Sequence, residues 1–156
     1  MNVSLRTLED QDLDTIYQHM TDPASVRMAA FTAVDQTDRR AFLNRMSRLR
    51  TDASVSYRVI EIDGAIAGTI ASFRIDDQPE VTYWVDRTLW GKGVASAALR
   101  ILLAETPERP LYARAASDNL GSLRVLEEAG FRRIGVNRDF APGRGEEIEE
   151  TILRLD

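Results

Sequence analysis

A strand that leads into a glycine pair, followed at once by an apolar helix, constrains this fold more than any other feature of the sequence. Residues 80–86 are rich in Val, Thr, Tyr and Trp, which favour strands. Gly91 and Gly93 come next, and from Val94 the chain has a helical pattern that is apolar almost all round. We expect a helix of that kind to be largely buried. The segment therefore predicts a strand and a buried helix that are joined by a short glycine loop.

Strand and helix signals cover the rest of the chain in an order typical of an α/β domain. Strands are predicted at residues 2–8, 55–62, 65–75, 80–86, 111–116, 131–140 and 148–155, with turns at residues 63–64 and 76–79. Helices are predicted at residues 10–20, after a cap at Thr37, at residues 94–103 and at residues 119–129, the last of them ended by Gly130. This order predicts one mixed sheet with helices on its faces. A length of 156 residues is that of one ordinary domain.

Composition excludes several kinds of site. The chain has no cysteine and one histidine, His19, which excludes disulfides, thiolate zinc sites and two-histidine metal sites, so we expect no metal. A net charge of −5 counts against a general nucleic-acid-binding protein. No apolar run reaches the length of a membrane span, and no signal-peptide pattern opens the sequence. We therefore expect no membrane partner and a cytoplasmic location.

The glycine loop has the features of an anion-binding site. Gly91 and Gly93 allow a ligand to approach the backbone, and the first amides of a helix have no partner within it. Arg87 and Lys92, the only lysine, flank the loop. A plain turn between strand and helix explains the glycines equally well. Two nucleotide motifs do not fit, because the Walker spacing is absent and Ser96 stands at the third glycine of the dinucleotide pattern.

A second segment combines a polar helix start with a glycine stop. Asn119 follows a predicted strand, Ser122 comes three residues later, and the helix ends at Gly130-Phe131. Capping is the simplest role of Asn119, although Ser117, Asp118 or Asn119 could each provide the cap. A cap alone leaves the rest of this pattern unexplained.

Together the two segments resemble the GNAT superfamily of N-acetyltransferases. Its Arg/Gln-x-x-Gly-x-Gly/Ala motif is matched by residues 90–95, where Trp90 replaces the usual Arg or Gln. The Trp-Gly-x-Gly form, the preceding Tyr-Trp-Val and the later Asn-x-x-Ser…Gly-Phe resemble the RimJ/RimL-like branch. That branch acetylates protein N-terminal amines and has many relatives with small-molecule acceptors. The resemblance implies one GNAT domain over residues 1–156, an α/β fold with a mixed, mostly antiparallel sheet of about seven strands and helices on both faces.

The resemblance also implies acetyl-CoA as cosubstrate. In this family two adjacent parallel strands, here residues 80–86 and 111–116, splay apart, and pantetheine lies in the gap along the first strand. The pyrophosphate lies over the loop amides, and Asn119 bonds the pantetheine arm. The cofactor-binding residues that follow are Val85, Arg87, Gly91, Lys92, Gly93, Val94, Ala95, Asn119 and Ser122.

The implied reaction is attack of a primary amine on the thioester, in which a strand amide near Val85 would stabilise the carbonyl oxygen. Glu80 matches the glutamate that takes the amine proton in many members, and otherwise it is a solvated glutamate at a strand start. Many members protonate the leaving thiolate with a tyrosine seven residues after the asparagine. That position is Leu126 here, and Ser122 is a weak candidate to replace it.

The acceptor amine, a protein N-terminus or a small molecule, is left open by these motifs. Met28, Phe31, Phe73 and Tyr83 either line an acceptor cleft or belong to the core. The second helix has a row of arginines that is either a solvated face or a docking surface for an acidic acceptor, namely Arg39, Arg40, Arg45, Arg48 and Arg50. The alternatives to an N-acetyltransferase are a non-catalytic acyl-CoA-binding module and a nucleotide hydrolase. The protein is expected to be a monomer or a homodimer.

Overall fold

The computed structural model describes all residues from Met1 to Asp156. The strands are β1 (Val3–Thr7), β2 (Ser56–Ile62), β3 (Ala65–Ile75), β4 (Gln78–Val85), β5 (Leu111–Ala116), β6 (Arg132–Ala141) and β7 (Glu146–Leu155). The helices are α1 (Leu13–Thr21), α2 (Pro23–Ala29), α3 (Arg39–Thr51), α4 (Val94–Glu105) and α5 (Leu120–Glu128). Single 3-10 turns precede α1 and follow β4, at Asp10–Asp12 and Arg87–Leu89.

All seven strands form one sheet in the order β1-β2-β3-β4-β5-β7-β6. Every neighbouring pair is antiparallel except β4 and β5, which are parallel. The predicted mixed, mostly antiparallel sheet of about seven strands is confirmed. The turn predicted at residues 76–79 is shorter than expected, because Asp76 and Asp77 take positive φ angles of 47° and 64° and close a two-residue turn. β4 therefore begins at Gln78.

Two helix starts differ from the sequence prediction. Asp38, not Thr37, caps α3, because its carboxylate accepts a hydrogen bond from the N–H of Ala41. Thr37 instead offers its carbonyl to the hydroxyl of Tyr17. The prediction gave no bounds for a helix between α1 and α3. Pro23 ends the preceding helix as expected, but proline is equally suited to a first helical turn, and there it begins α2.

Helices cover both faces of the sheet, as predicted. The larger core cluster joins α4 and α5 to one face, with Leu99, Leu102, Leu123, Leu126, Val81 and Val85 among its members. A smaller cluster joins α1 and α3 to the other face, with Ile16, Phe42, Met46 and Val59 among its members. α4 is less buried than expected, because Val94, Ala98, Leu99 and Leu102 are its only buried residues and Arg100 is exposed. No helix is both long and apolar enough to cross a membrane.

Candidate active site

The parallel strands β4 and β5 separate almost as soon as they meet. Their ladder has one register pair, Glu80 with Tyr112, whereas β4 pairs with β3 along its whole length. Beyond this pair a gap opens toward the carboxyl ends of both strands. The gap leaves part of the polar edge of β4 without a neighbouring strand, and this is the splay that the sequence resemblance predicts.

Val85 turns its backbone polar groups toward this gap. In an antiparallel ladder successive residues face alternate neighbours, and the N–H of Asp86 donates to the carbonyl of Ala67 on the β3 side. The N–H and carbonyl of Val85 therefore face β5. The carbonyl is already engaged, since Nε1 of Trp90 donates to it at 3.0 Å. The N–H remains directed at the gap, and Trp90 orients the loop that follows.

The glycine loop leaves the start of α4 open. Gly91 and Gly93 have φ angles of 77° and 81°, in the left-handed region that disfavours other residues. A Cβ atom at either position would meet no protein atom within 4 Å. Gly93 is the N-cap of α4 and offers no side chain to cap it. The first amides of this twelve-residue helix therefore face open space next to the cavity.

Arg87 and Lys92, the two basic residues predicted to flank the loop, do not line the cavity. Nε of Arg87 donates a 2.8 Å hydrogen bond to Asp22, the N-cap residue of α2. The Arg87 carbonyl accepts from the Trp90 N–H. Lys92 is exposed. The loop thus presents backbone amides to the cavity, with Lys92 outside it.

The start of α5 contributes polar groups on the opposite side of the gap. Oδ1 of Asn119 accepts a hydrogen bond of 3.2 Å from the N–H of Ser122, which confirms the predicted cap. The Asn119 Nδ2 atom lies 3.5 Å from the Met28 carbonyl, and both Asn119 and Ser122 line the cavity. The hydroxyl of Ser122 lies 2.8 Å from that of Tyr83 on β4. Burial raises the pKa of Tyr83 to about 12, so this phenol keeps its proton at neutral pH.

The position where the resemblance implies a tyrosine lines the cavity but has no hydroxyl that could donate a proton. Leu126 is fully buried in the core beneath α5. Among the hydroxyls that line the cavity on this side, those of Tyr83 and Ser122 lie within hydrogen-bond distance of each other. The sequence suggested Tyr83 only as a cleft residue, because its contact with Ser122 joins two segments far apart in the chain.

One cavity of about 1000 Å³ connects the glycine loop to the space beneath α1, α2 and α3. It passes through the gap between β4 and β5. The four residues predicted to line an acceptor cleft all line it, namely Met28, Phe31, Phe73 and Tyr83. Its walls are mostly apolar, with a few polar groups at defined positions, as in small-molecule sites.

Glu80 lines this cavity but is not solvated, being 2% exposed. Its Oε1 atom accepts a hydrogen bond of 3.3 Å from Nε of Arg114, while Oε2 is buried without a partner. Burial raises the pKa of Glu80, and Arg114 opposes that rise. A carboxylate that is partly desolvated but still paired with a cation has the properties of a general base.

A second buried carboxylate, Glu150 on β7, was missed by the sequence analysis. Its Oε1 atom lies 3.6 Å from Nη1 of Arg114, so the guanidinium lies between Glu80 and Glu150. Burial raises the pKa of Glu150 as well. Period-two alternation in β7 could have indicated this residue, because Glu150 shares a face with Ile148 and Ile152.

Comparison with known proteins agrees with this architecture. The family described as the acetyltransferase (GNAT) domain matches residues 2–132. Among curated proteins, the uncharacterized N-acetyltransferase p20 of Bacillus licheniformis is 27% identical over 98% of this chain and 92% of its own length.

Two solved structures show the same fold. RimJ of Mycobacterium smegmatis, in complex with CoA-disulfide, has a TM-score of 0.83 at 22% identity, covering 98% of this chain and 81% of that one. The spermidine N-acetyltransferase of Vibrio cholerae, in complex with CoA and spermine, has a TM-score of 0.80 at 19% identity, covering 98% and 95%. Because the family match spans most of the sequence, this chain belongs to the GNAT family and is an acetyl-CoA-dependent N-acetyltransferase.

Proposed function

We propose that this chain, as one GNAT domain over residues 1–156, moves an acetyl group from acetyl-CoA to a primary amine by direct attack on the thioester. The acceptor is the α-amine of a protein N-terminus or the amine of a small molecule. The observation that carries the proposal is that one cavity joins the open start of α4, the gap beside β4 and the buried carboxylate of Glu80.

Acetyl-CoA fits the open side of this cavity. The pyrophosphate binds the amides at the start of α4, where both loop glycines leave room for it. The pantetheine arm lies along β4. The residues proposed to hold the cosubstrate inside the cavity are Val85, Gly91, Gly93, Val94, Ala95, Asn119 and Ser122. Arg87 and Lys92 lie outside it, so Arg87 is proposed to contribute its backbone N–H and Lys92 its charge beside the loop. The carbonyl of Val85 is taken by Trp90, so Val85 acts through its N–H.

The N–H of Val85 stabilises the oxygen of the thioester carbonyl as negative charge develops there. The amine nitrogen forms a bond to the carbonyl carbon, and the carbon–sulfur bond then breaks. Glu80 accepts the proton that the amine loses. Its unpartnered Oε2 atom and its raised pKa both support this role.

The leaving thiolate needs a proton, and the hydroxyl of Ser122 is proposed to supply it. Tyr83 supports this role because its phenol, protonated at neutral pH, lies within hydrogen-bond distance of Ser122 and can return a proton to it. Solvent then restores the phenol proton and takes up the proton held by Glu80. In this arrangement the hydroxyls of Ser122 and Tyr83 take the role of the tyrosine that the resemblance implies at the position of Leu126.

The test is release of free CoA from acetyl-CoA with a panel of amines that includes peptides, polyamines and amino acids. We expect release with at least one class of amine and a large loss in Glu80→Gln. Tight binding of acetyl-CoA with no release for any amine would instead support a non-catalytic acyl-CoA-binding module.

A further inference from the structure

The arginines of α3 are not equivalent. Arg39 forms an ion pair with Asp14, and Arg50 forms one with Asp10. Arg45 is half-buried, forms neither an ion pair nor a hydrogen bond, and lines the active-site cavity. A charged donor in such a place has lost part of its hydration without gaining a partner. It is therefore suited to bind an anion that enters the cavity.

The packing of α3 explains why Arg45 faces the cavity. Phe42 and Met46 are buried against the sheet and set the rotation of the helix. Arg45 lies beside Met46 on that side, and Leu49 lies one turn further on, so all three line the cavity. Arg40 and Arg48 are exposed, and neither lines the cavity.

A second donor without a partner lies close to Arg45. The hydroxyl of Tyr57, on β2, is buried, has no hydrogen-bond partner and belongs to a residue that lines the same cavity. Burial raises the pKa of Tyr57, and the nearby side chain of Thr69 and, to a smaller extent, the charge of Arg45 oppose that rise, so both residues lie near the Tyr57 hydroxyl. A buried donor that lacks an acceptor is unusual and calls for a ligand that supplies one.

These donors face the carboxylates across the cavity. Tyr57 pairs with Ala71, which pairs with Thr82, and Glu80 lies two residues further along β4 on the same face of the sheet. Strand spacing and rise place the Cα atoms of Tyr57 and Glu80 roughly 12 Å apart. This span is comparable to the length of a small metabolite. The acceptor space thus has an acidic end at Glu80 and Glu150. Its other end has the hydrogen-bond donors Arg45 and Tyr57.

We propose that Arg45 and Tyr57 form a subsite for an acid group, and that the acceptor is a small amine that also carries a carboxylate or a similar acid, such as a free amino acid. This rests on the proposed function, because the amine must lie at Glu80 for its acid group to reach Arg45. A polyamine fits less well, since its second ammonium would lie beside the guanidinium. A protein N-terminus offers neutral peptide carbonyls at this place instead of an acid.

The experiment compares amines in matched pairs, each amino acid with its own amide, over α-amino acids and longer ω-amino acids. The amide keeps the shape and removes the charge. Wild-type kcat/KM should favour the acid by about ten- to a hundredfold, which is typical of a charge-assisted hydrogen bond. Arg45→Gln should remove most of that preference through KM. Tyr57→Phe should reduce it by several fold, and the exposed Arg48→Gln should leave it unchanged.

Two results separate failure of the subsite from failure of the proposed function. Acetylation of amides or of spermidine as efficiently as acids overturns the subsite and leaves the acetyltransferase standing. No CoA release with any amine overturns the proposed function. In that case the subsite is tested by calorimetry of the CoA-saturated protein with N-acetylated amino acids and their amides. Tighter binding of the acids, lost in Arg45→Gln, supports it, whereas equal or undetectable binding of both overturns it.

Discussion

Glu80 and Arg114 meet across the parallel strands, where Nε of Arg114 donates a 3.3 Å hydrogen bond to one carboxylate oxygen of Glu80. The other oxygen is buried and has no hydrogen-bond partner, and the residue lines the cavity. The guanidinium keeps the carboxylate available in its ionised form, while burial raises its pKa toward the range in which it accepts protons efficiently. Arg114 thus holds the Glu80 carboxylate in position and leaves its Oε2 atom free to accept a proton.

Glu80→Gln should lower turnover by about 10²-fold or more and leave the affinity for acetyl-CoA intact, because the amide keeps the size and cannot accept the proton. The loss should fade as pH rises through the pKa of the acceptor amine, which is near 8 for an α-amine and near 10.4 for a lysine-type amine. Steady-state rates over pH measure this. Glu149→Gln, an exposed change on β7, is the control. Wild-type turnover of Glu80→Gln at pH 6.5 would remove Glu80 from the mechanism.

The same substitution should change how stability depends on pH. The pKa of Glu80 is raised above its ordinary value of 4.5, so between these two values the folded state binds more protons than the unfolded state. Stability from this group therefore falls as pH rises through that interval. The glutamine in Glu80→Gln cannot titrate. The unfolding free energy of the variant, relative to that of the wild type, should therefore increase from about pH 4 upward and become constant above the raised pKa. Urea unfolding over pH measures the difference, and a constant or declining difference would contradict the raised pKa.

Gly93→Val should weaken acetyl-CoA binding severely. A branched side chain would occupy the open space in which the pyrophosphate is proposed to lie, and no protein atom is near enough to be displaced instead. The left-handed φ of Gly93 adds a folding cost of its own, so a matched control is needed. Gly145→Val provides one, because Gly145 has a φ of 72°, has equally open space and does not line the cavity. Calorimetry that finds equal affinities for both folded variants would refute the loop assignment.

Asn119→Ala should affect both stability and the cosubstrate. Loss of the cap of α5 should cost about 1 kcal/mol of unfolding free energy, and the KM for acetyl-CoA should rise because Asn119 lines the cavity. Asp38→Ala removes the cap of α3 in the same way, outside the cavity. It should match the loss of stability while leaving the KM unchanged. If both variants behave alike, Asn119 is a cap and nothing more.

Ser122→Ala should reduce kcat by about tenfold or more if its hydroxyl protonates the thiolate. Tyr83→Phe should also reduce kcat, because it removes the hydroxyl 2.8 Å from that of Ser122 while keeping the ring. Tyr112→Phe, which makes the same change outside the cavity, should have no effect. Unchanged turnover of Ser122→Ala would indicate that solvent supplies the proton.

Much of the fold could be predicted because its signals are local. The Asp63-Gly64 turn, the Asn119 cap, the Gly130 stop and the glycine loop each depend on residues a few positions apart, and all appear in the structure. The two wrong predictions of helix starts also concern neighbouring residues. Thr37 and Asp38 are both good caps, and in the structure Asp38 caps α3 while the Thr37 hydroxyl donates to Asp35. Pro23 is compatible with a helix stop and with a helix start, and here it serves as both.

The sequence by itself determined the element order, the glycine loop and the family, because backbone conformation and motif spacing are encoded by neighbouring residues. Tertiary structure alone decided the environment of each side chain. It buried Glu80 beside Arg114, joined Glu150 to the same guanidinium, and brought Tyr83 to Ser122. It also selected Arg45, one of five similar arginines on a helix, to face the cavity. Burial and proton affinity depend on contacts between segments far apart in the chain, which appear only when the sheet has formed.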